Sequence, residues 1–515
     1  MTSSALPTTS TSDPAGPLAG RREWAALAVL VLVVLLLAID GTVLYLAVPS
    51  LTADLAPSAT QILWIGDIYA FVLAGLLITM GNLADRVGRK RLLLIGTFGF
   101  GAASLLAAFA PSAEMLILAR ALLGLAGATL MPSTLSIVRA MFVDRAQRAR
   151  AIALWSVGAT AGAALGPLVG GLLLESFWWG SVFLINLPVM ALALVAGWLL
   201  LPESKGEASP TIDWTSSALS ILAIVPLVFA IKHVISDGVD ELTVGALLLG
   251  LVAGWLFVRR QTRLAVPLLD VSLFRLPAFS GALAANVLAL FGFLGLLFFF
   301  SQYLQLVRGY GPLRAGLAEM PATIASVVVV ALVGLLLARL GAGRAIGLGL
   351  GVAAAGLAVM AGTTHWESYW GLGIGLAIIG LGVGVAMTLS VDAVVGAVPA
   401  RRAGAASAVS ETAYELGGAL GIAILGSLNG LLYRRALELP EGASAADAAL
   451  AEDSLAATAY GAEAEEVLAA AQAAFAEAMQ STAAVAAVIL LAAAVVAWRL
   501  IPSLPLTKES ARVEH

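Results

Sequence analysis

The 515-residue chain has no cysteine, which excludes disulfides, thiolate metal sites, iron–sulfur clusters and thiol nucleophiles together. Its three histidines, His233, His365 and His515, share no metal-binding spacing, and no HExxH pattern occurs. Lysine is rare, and none follows glycine in a GK[ST] phosphate loop, so a self-contained ATP motor is excluded. Charge is scarce altogether: Asp, Glu, Lys and Arg make up 12% of the chain, against about 25% in soluble domains. The 32 acids and 28 bases leave a net charge of -4, which excludes a basic nucleic-acid binder. What is present is apolar: 60% hydrophobic residues and a mean hydropathy of +0.98. Helices of about 20 apolar residues crossing a bilayer account for both the deficit and the excess. The chain reads as an all-α integral membrane protein whose standing partner is lipid.

Apolar runs long enough to cross about 30 Å of hydrocarbon predict fourteen spans. The first six cover 25–48, 61–80, 92–110, 114–138, 149–174 and 180–201. A middle pair follows at 214–232 and 242–258, then six more at 279–301, 314–338, 344–361, 369–391, 402–428 and 480–501. Placing the N-terminus in the cytoplasm puts 22 of the 28 basic residues in cytoplasmic segments, as retention of Lys and Arg requires. Lys232, Arg308, Arg314, Arg434 and Arg435 fall in outer segments, and Arg120 is the lone cation inside a span. Both termini are then cytoplasmic in a multi-pass cell-membrane protein. Residues 1–22 contain a Ser/Thr/Pro-rich stretch that predicts a disordered N-terminus. Arg21-Arg22 precedes an apolar run too long for a signal peptide, with no A-x-A site after it.

The loop after the second span, Gly81-Asn82-Leu83-Ala84-Asp85-Arg86-Val87-Gly88-Arg89-Lys90-Arg91, is echoed after the tenth by Gly334-Leu335-Leu336-Leu337-Ala338-Arg339-Leu340-Gly341-Ala342-Gly343-Arg344. Gly, Leu, Arg, Gly and Arg recur at matching offsets. A duplicated six-helix unit would place the echo after the eighth span, so two helices have been inserted between the halves. The predicted organisation is a cytoplasmic N-terminus (1–22), a six-helix bundle (23–201), an inserted transmembrane hairpin with linkers (202–278), a second six-helix bundle (279–501) with an outer loop at 430–479, and a cytoplasmic tail (502–515).

The first loop resembles the signature loop of the major facilitator superfamily, in which Gly81, Asp85, Arg86, Gly88 and Arg89 form a gating motif. The second copy has Ala338 where the first has Asp85. Arg120 with Gly124 and Gly127 resembles the superfamily's intramembrane arginine motif. Gly158, Gly162, Gly166-Pro167 and Gly170 resemble its antiporter motif, and their four-residue spacing puts these glycines on one helix face. Fourteen spans with that motif resemble the drug:proton antiporter family. The stretches Ile39 to Pro49, Leu63 to Tyr69 and Glu411 to Gly417 are similar to its QacA-type branch of quaternary ammonium exporters. The resemblance implies a major facilitator fold of two six-helix bundles plus the hairpin, acting as a monomer without a cofactor or metal.

Ionisable residues inside the bilayer cost about 2.5–3.5 kcal/mol each on the lenient scale, so they are functional candidates. They are Asp40, Asp67, Glu319, Glu411 and Glu415. Glu411 and Glu415 lie about 13 and 20 Å along their helix from its cytoplasmic start, bracketing the midplane. Their i,i+4 spacing puts both carboxylates on one face. Two anions so close in low dielectric cannot both ionise cheaply, so the pair suits exchange of a proton for a cation. The bland alternative is a pair satisfied by hydroxyls. Asp40 stands about 22 Å from its inner end. Asp67 and Glu319 stand one to two turns from the outer surface, where simple hydration is the alternative role. Arg120 serves either as a proton relay, as the resemblance implies, or as a cation holding two helices together. Tyr45, Trp64, Tyr69, Trp155 and Tyr414 are the aromatics able to receive a cation by cation–π contact, with core packing as the alternative.

The outer loop carries nine acids, Glu438, Glu441, Asp447, Glu452, Asp453, Glu463, Glu465, Glu466 and Glu477, and reads as a solvated acidic loop or a helical cap. No nucleophile, metal or phosphate-loop signature supports an enzyme. The functional expectation is a proton-driven exporter of lipophilic organic cations, such as quaternary ammonium compounds, dyes and biocides, working by alternating access. The alternative is a dedicated exporter of a single natural product or antibiotic. Acids clustered without a second buried cation favour the first.

Overall fold

The computed structural model describes residues 18–205, 213–236, 238–264, 267–398 and 403–502, and among these the ordered elements are all helical. Most of the expected disordered N-terminus (1–17), the inner-side bases Arg401, Arg402, Lys508 and Arg512, and the tail from 503 lie outside the described residues. Twelve helices are long and apolar enough to cross a membrane, and two further bent pairs bring the number to fourteen.

The first half runs α1 (Arg21–Leu55), α2 (Ala59–Val87), α3 (Arg89–Ala108), α4 (Ala113–Met141), α5 (Arg145–Ser176) and a last span made of α6 (Ser181–Leu184) and α7 (Asn186–Leu200). The middle pair is α8 (Trp214–Ser236) and α9 (Glu241–Gln261). The second half begins with α10 (Pro277–Gln302), which ends in a π-helical turn at Tyr303–Val307. It continues through α11 (Pro312–Val328), α12 (Val330–Leu340), α13 (Ala342–Thr363), α14 (Trp370–Gly396) and α15 (Ala403–Ala436). After α16 (Ala445–Asp453) and α17 (Leu455–Gly461), α18 (Glu465–Leu500) closes the chain. Local sequence sets several starts. Ser58 accepts from the Gln61 N–H while the Gln61 side chain accepts from Ser58, a capping box that opens α2. Ser112 and Asp240 cap α4 and α9, their side chains accepting from the Met115 and Thr243 N–H groups. α5 bends by 44° between Ala163 and Leu165, where Pro167 cannot donate to the carbonyl four residues back.

The halves are built alike. In the first, α1 packs on α5 and α7, α2 on α4, and α3 on α4 and α7. The same set recurs as α10 on α15 and α18, α11 on α14, and α13 on α14 and α18. The register of the repeat is tight: α2 covers 59–87 and the bent pair α11–α12 covers 312–340, an offset of 253 that also relates Gly81 to Gly334. Each copy is followed by a glycine with positive φ, Gly88 at 121° and Gly341 at 75°. A side chain would be strained at either turn. Two seams join the halves, α2 against α15 and α5 against α11. The hairpin α8–α9 breaks this symmetry, because α8 packs on both α2 and α15 and so covers one seam alone.

The last helix begins at Glu465, well before the expected 480, and runs for 36 residues. Glu465, Glu466, Gln472 and Glu477 interrupt the apolar run without interrupting an Ala-rich helix. The rest of the segment 430–479 is folded rather than a simple loop. Tyr433 donates to the Ala451 carbonyl (2.7 Å), Asp447 accepts from the Glu463 N–H (3.0 Å), and α17 packs on α1.

Candidate functional site

Three helices converge on Asp40, whose carboxylate is 1% exposed. Arg120 on α4 forms an ion pair with it at 3.0 Å, and Asn186 on α7 donates to its second oxygen at 2.8 Å and to Ser104 at 3.0 Å. Arg120 also donates to the Ile65 carbonyl of α2 (3.2 Å), and its guanidinium lies 4.7 Å from the centre of the Tyr69 ring. The arginine is thus held by an anion, a carbonyl and an aromatic face, each offsetting part of its desolvation.

A second ion pair lies at the covered seam. Lys232 of α8 reaches Asp67 of α2 at 2.7 Å, with both side chains at most 1% exposed, and its ammonium lies 3.9 Å from the centre of the Trp64 ring. Two expectations change here. Arg120 is not the lone intramembrane cation, since Lys232 lies within the span Trp214–Val234 rather than in an outer segment. Asp67 and Glu319 are not hydrated near a surface, because Asp67 is 0% and Glu319 1% exposed. The preference for a cation exporter drawn from the absence of a second buried cation therefore loses that support.

Glu319 on α11 and Glu411 and Glu415 on α15 make no ion pair among the described residues. The Ser301 hydroxyl is a polar neighbour of Glu319. Glu411, Tyr414 and Glu415 are half-buried, so the shared face of α15 borders accessible space. Glu415 is within electrostatic range of Glu411 and Arg120, and Tyr45 is within range of Arg120, Glu415, Asp67 and Glu319. Tyr45 packs edge-on against Phe298 (5.7 Å between centroids), which also presses on Gly66 of α2. Trp155 is not brought into this group. Its indole donates to Thr134 (3.1 Å), fourteen residues and about 21 Å of helix from Arg120. Asp392 is exposed at the far end of α14.

The glycine face of α5 packs on α1. A Cβ at Gly158 would meet Val31, at Gly162 the Leu35 carbonyl and Ala38, at Gly166 Thr42, and at Gly170 Val43. At the uncovered seam Gly316 of α11 packs against the Pro167 carbonyl, where a Cβ would collide with it. In the loop motif Asp85 pairs with Arg89 at 2.8 Å, while Arg86 points outward. The Arg89 N–H donates to Ser204 and the Lys90 ammonium to the Trp198 and Leu201 carbonyls, clasping the loop to the end of α7. Gly81 lies against Pro132 of α4.

Sequence reasoning missed Asn186, Lys232 and Phe298. Asn186 and Lys232 carry a visible signal, a polar residue within an otherwise apolar stretch, Ile185-Asn186-Leu187 and Ala230-Ile231-Lys232. Phe298 carries none, being one of many apolar residues in α10.

Two pseudo-symmetric helical bundles with carboxylates enclosed between them define a membrane transporter, not an enzyme. Residues 30–422 match the Major Facilitator Superfamily, and the chain belongs to that family. It is 45% identical over 481 residues to "Multidrug efflux pump LfrA" of Mycolicibacterium smegmatis, covering 92% of this chain and 95% of the relative. It is 36% identical to "Methyl viologen resistance protein SmvA" of Salmonella typhimurium (84% and 88% covered) and 33% to the "Tetracenomycin C resistance and export protein" of Streptomyces glaucescens (81% and 77%). Among solved structures, an inward-facing, unoccupied bacterial homologue of the human lysosomal transporter Spinster superposes with a TM-score of 0.64 at 18% identity, covering 93% of this chain and 96% of that one.

Proposed function

We propose that the protein exports lipophilic organic cations across the cell membrane in exchange for protons, by alternating access about the two seams. One observation carries this reading. Glu411 and Glu415 share one face of α15, border accessible space and make no ion pair among the described residues, whereas Asp40 and Asp67 each hold a protein cation. A carboxylate pair that cannot doubly ionise at low cost holds a proton until a cation replaces it. Half-buried Tyr414, between the two acids on α15, offers an aromatic face. Relatives named for multidrug efflux and methyl viologen resistance are in keeping with a cationic cargo.

The seams supply the hinge. Polar contacts between the halves, Gln305 to the Leu46 carbonyl (3.1 Å) and the Leu313 N–H to Glu175 (3.5 Å), gather on the face opposite the Asp85 loop. With the loop and both termini in the cytoplasm, that closed face is the outer one, and a monomer suffices for the cycle. A proton moving inward down 100 mV gains about 2.3 kcal/mol. One-for-one exchange with a monovalent cation cancels the potential, so a pH gradient drives it. The second reading, a dedicated natural-product exporter, is favoured by similarity to the tetracenomycin C exporter.

The test is reconstitution into liposomes with an imposed pH gradient, following ethidium and a dicationic biocide. Gradient-dependent movement of either cation supports the reading. Transport of neither points to the dedicated exporter.

A further inference from the structure

The hairpin has no symmetry mate, and its side chain at the covered seam is a cation. Lys232 lies 2.7 Å from Asp67 and 3.9 Å from the Trp64 ring centre, both groups of the ion pair being closed to water. A carboxylate beside an indole face is the arrangement that recognises organic ammonium ions. In this protein it is filled by an ammonium on the protein's own chain.

The surroundings keep it filled. Phe71 of α2, Val228 of α8 and Ala419 and Ala423 of α15 form a closed apolar cluster against Trp64. The other seam shows what the same register looks like without the hairpin. The offset of 253 carries Asp67 to position 320, next to Glu319, and Glu319 has no ion pair. The filled cage is not isolated from the α15 acids, because Leu416, the residue after Glu415, packs in the same apolar cluster as Trp64. A cage at Asp67 on α2 and a carboxylate at Glu415 on α15 are therefore two anionic positions on helices packed against each other.

We propose that Lys232 is a specificity-determining residue: a tethered cation that occupies the Trp64–Asp67 cage and so denies it to the second charge of a dication. The protein then offers one anionic position, at Glu411 and Glu415, to a cationic cargo. Without the Lys232 ammonium, the cage and the α15 pair together present two anionic positions to a dication. A purely structural ion pair would hold α8 on α2 yet leave charge selectivity alone. The inference rests on the cation-export reading, and its test separates the two.

The test is equilibrium binding of tetraphenylphosphonium, a monocation, and methyl viologen, a dication, to the purified full-length protein. In Lys232→Gln, methyl viologen should bind about tenfold more tightly while tetraphenylphosphonium shifts by less than about threefold. Lys232→Arg, which keeps the charge, should keep the wild-type ratio of the two Kd values. Lys232→Gln combined with Asp67→Asn should return to that ratio, since the cage has then lost its anion. Lys232→Met tests the same point if the glutamine variant does not fold. An unchanged ratio in a folded, tetraphenylphosphonium-binding Lys232→Gln or Lys232→Met protein overturns the inference and leaves the export reading standing. Wild-type protein that binds neither cation overturns both.

Discussion

Arg120 on α4 holds Asp40 on α1 in an ion pair at 3.0 Å from which water is excluded. Asn186 of α7 binds the same carboxylate, so three helices of the first half meet at one charge. Breaking a buried pair by removing one partner leaves the other uncompensated, at a cost of about 3–5 kcal/mol. Asp40→Asn and Arg120→Gln should each lower the melting temperature of the purified protein. The double variant should lose clearly less than the sum of the two. Additive losses in thermal melts would mean that the residues do not act as a pair.

The α1–α5 contact supplies a prediction with its own control. A methyl at position 162 would press on the Leu35 carbonyl and lie 2.8 Å from the Ala38 Cβ. Backbone cannot yield as a side-chain tip can, so Gly162→Ala should lower stability and transport together. Gly41, on α1 itself, has nothing within 4 Å of the same added atom. Gly41→Ala should be neutral or gain roughly 0.5–1 kcal/mol of helix stability. Melting curves and dye efflux from the two variants check both halves of this prediction.

At the entry to the hairpin, Asp213 receives a bidentate bond from Arg260, at 3.0 and 2.9 Å, and another from the Ser216 hydroxyl. Burial raises its pKa, but the hydrogen bonds from Arg260 and Ser216 outweigh that and bring it down to about 2. A folded value below the unfolded one, about 3.9, means the pair stabilises the fold above that pH. The contribution disappears as pH falls towards 2. Between pH 5.5 and 8 it is constant. Arg260 is 39% exposed, so solvent screening limits the pair to about 1 kcal/mol. Asp213→Asn should lower the melting temperature slightly and equally at pH 5.5 and pH 8. A loss seen at only one of these values would contradict the assignment.

Much of this fold is legible in the sequence because a bilayer demands long apolar runs and a duplicated bundle leaves an echo. The loop at Gly81 and its copy at Gly334 identify the inserted pair, and the offset between them is the one that relates α2 to α11–α12. The start of α18 is less legible, since hydropathy marks where apolar residues begin and not where a helix does. The site is legible as a set of acids but not as a set of pairs. Spacing along one helix puts Glu411 beside Glu415. No spacing reveals that Lys232 meets Asp67, because that contact joins residues far apart in the chain through the packing of α8 on α2. The glycine ladder of α5 is clear from its period, while its partner, the face of α1 from Val31 to Val43, emerges only in three dimensions.

The central claim is that a cation and a proton compete for Glu411 and Glu415. The most direct measurement is proton release, followed with a pH indicator in weak buffer, as a transported cation binds to the purified protein. Wild type should release about one proton per bound cation, and Glu411→Gln/Glu415→Gln should release none while remaining folded. Release that is undiminished in the double variant, or cation binding by wild type with no proton released, would contradict the account.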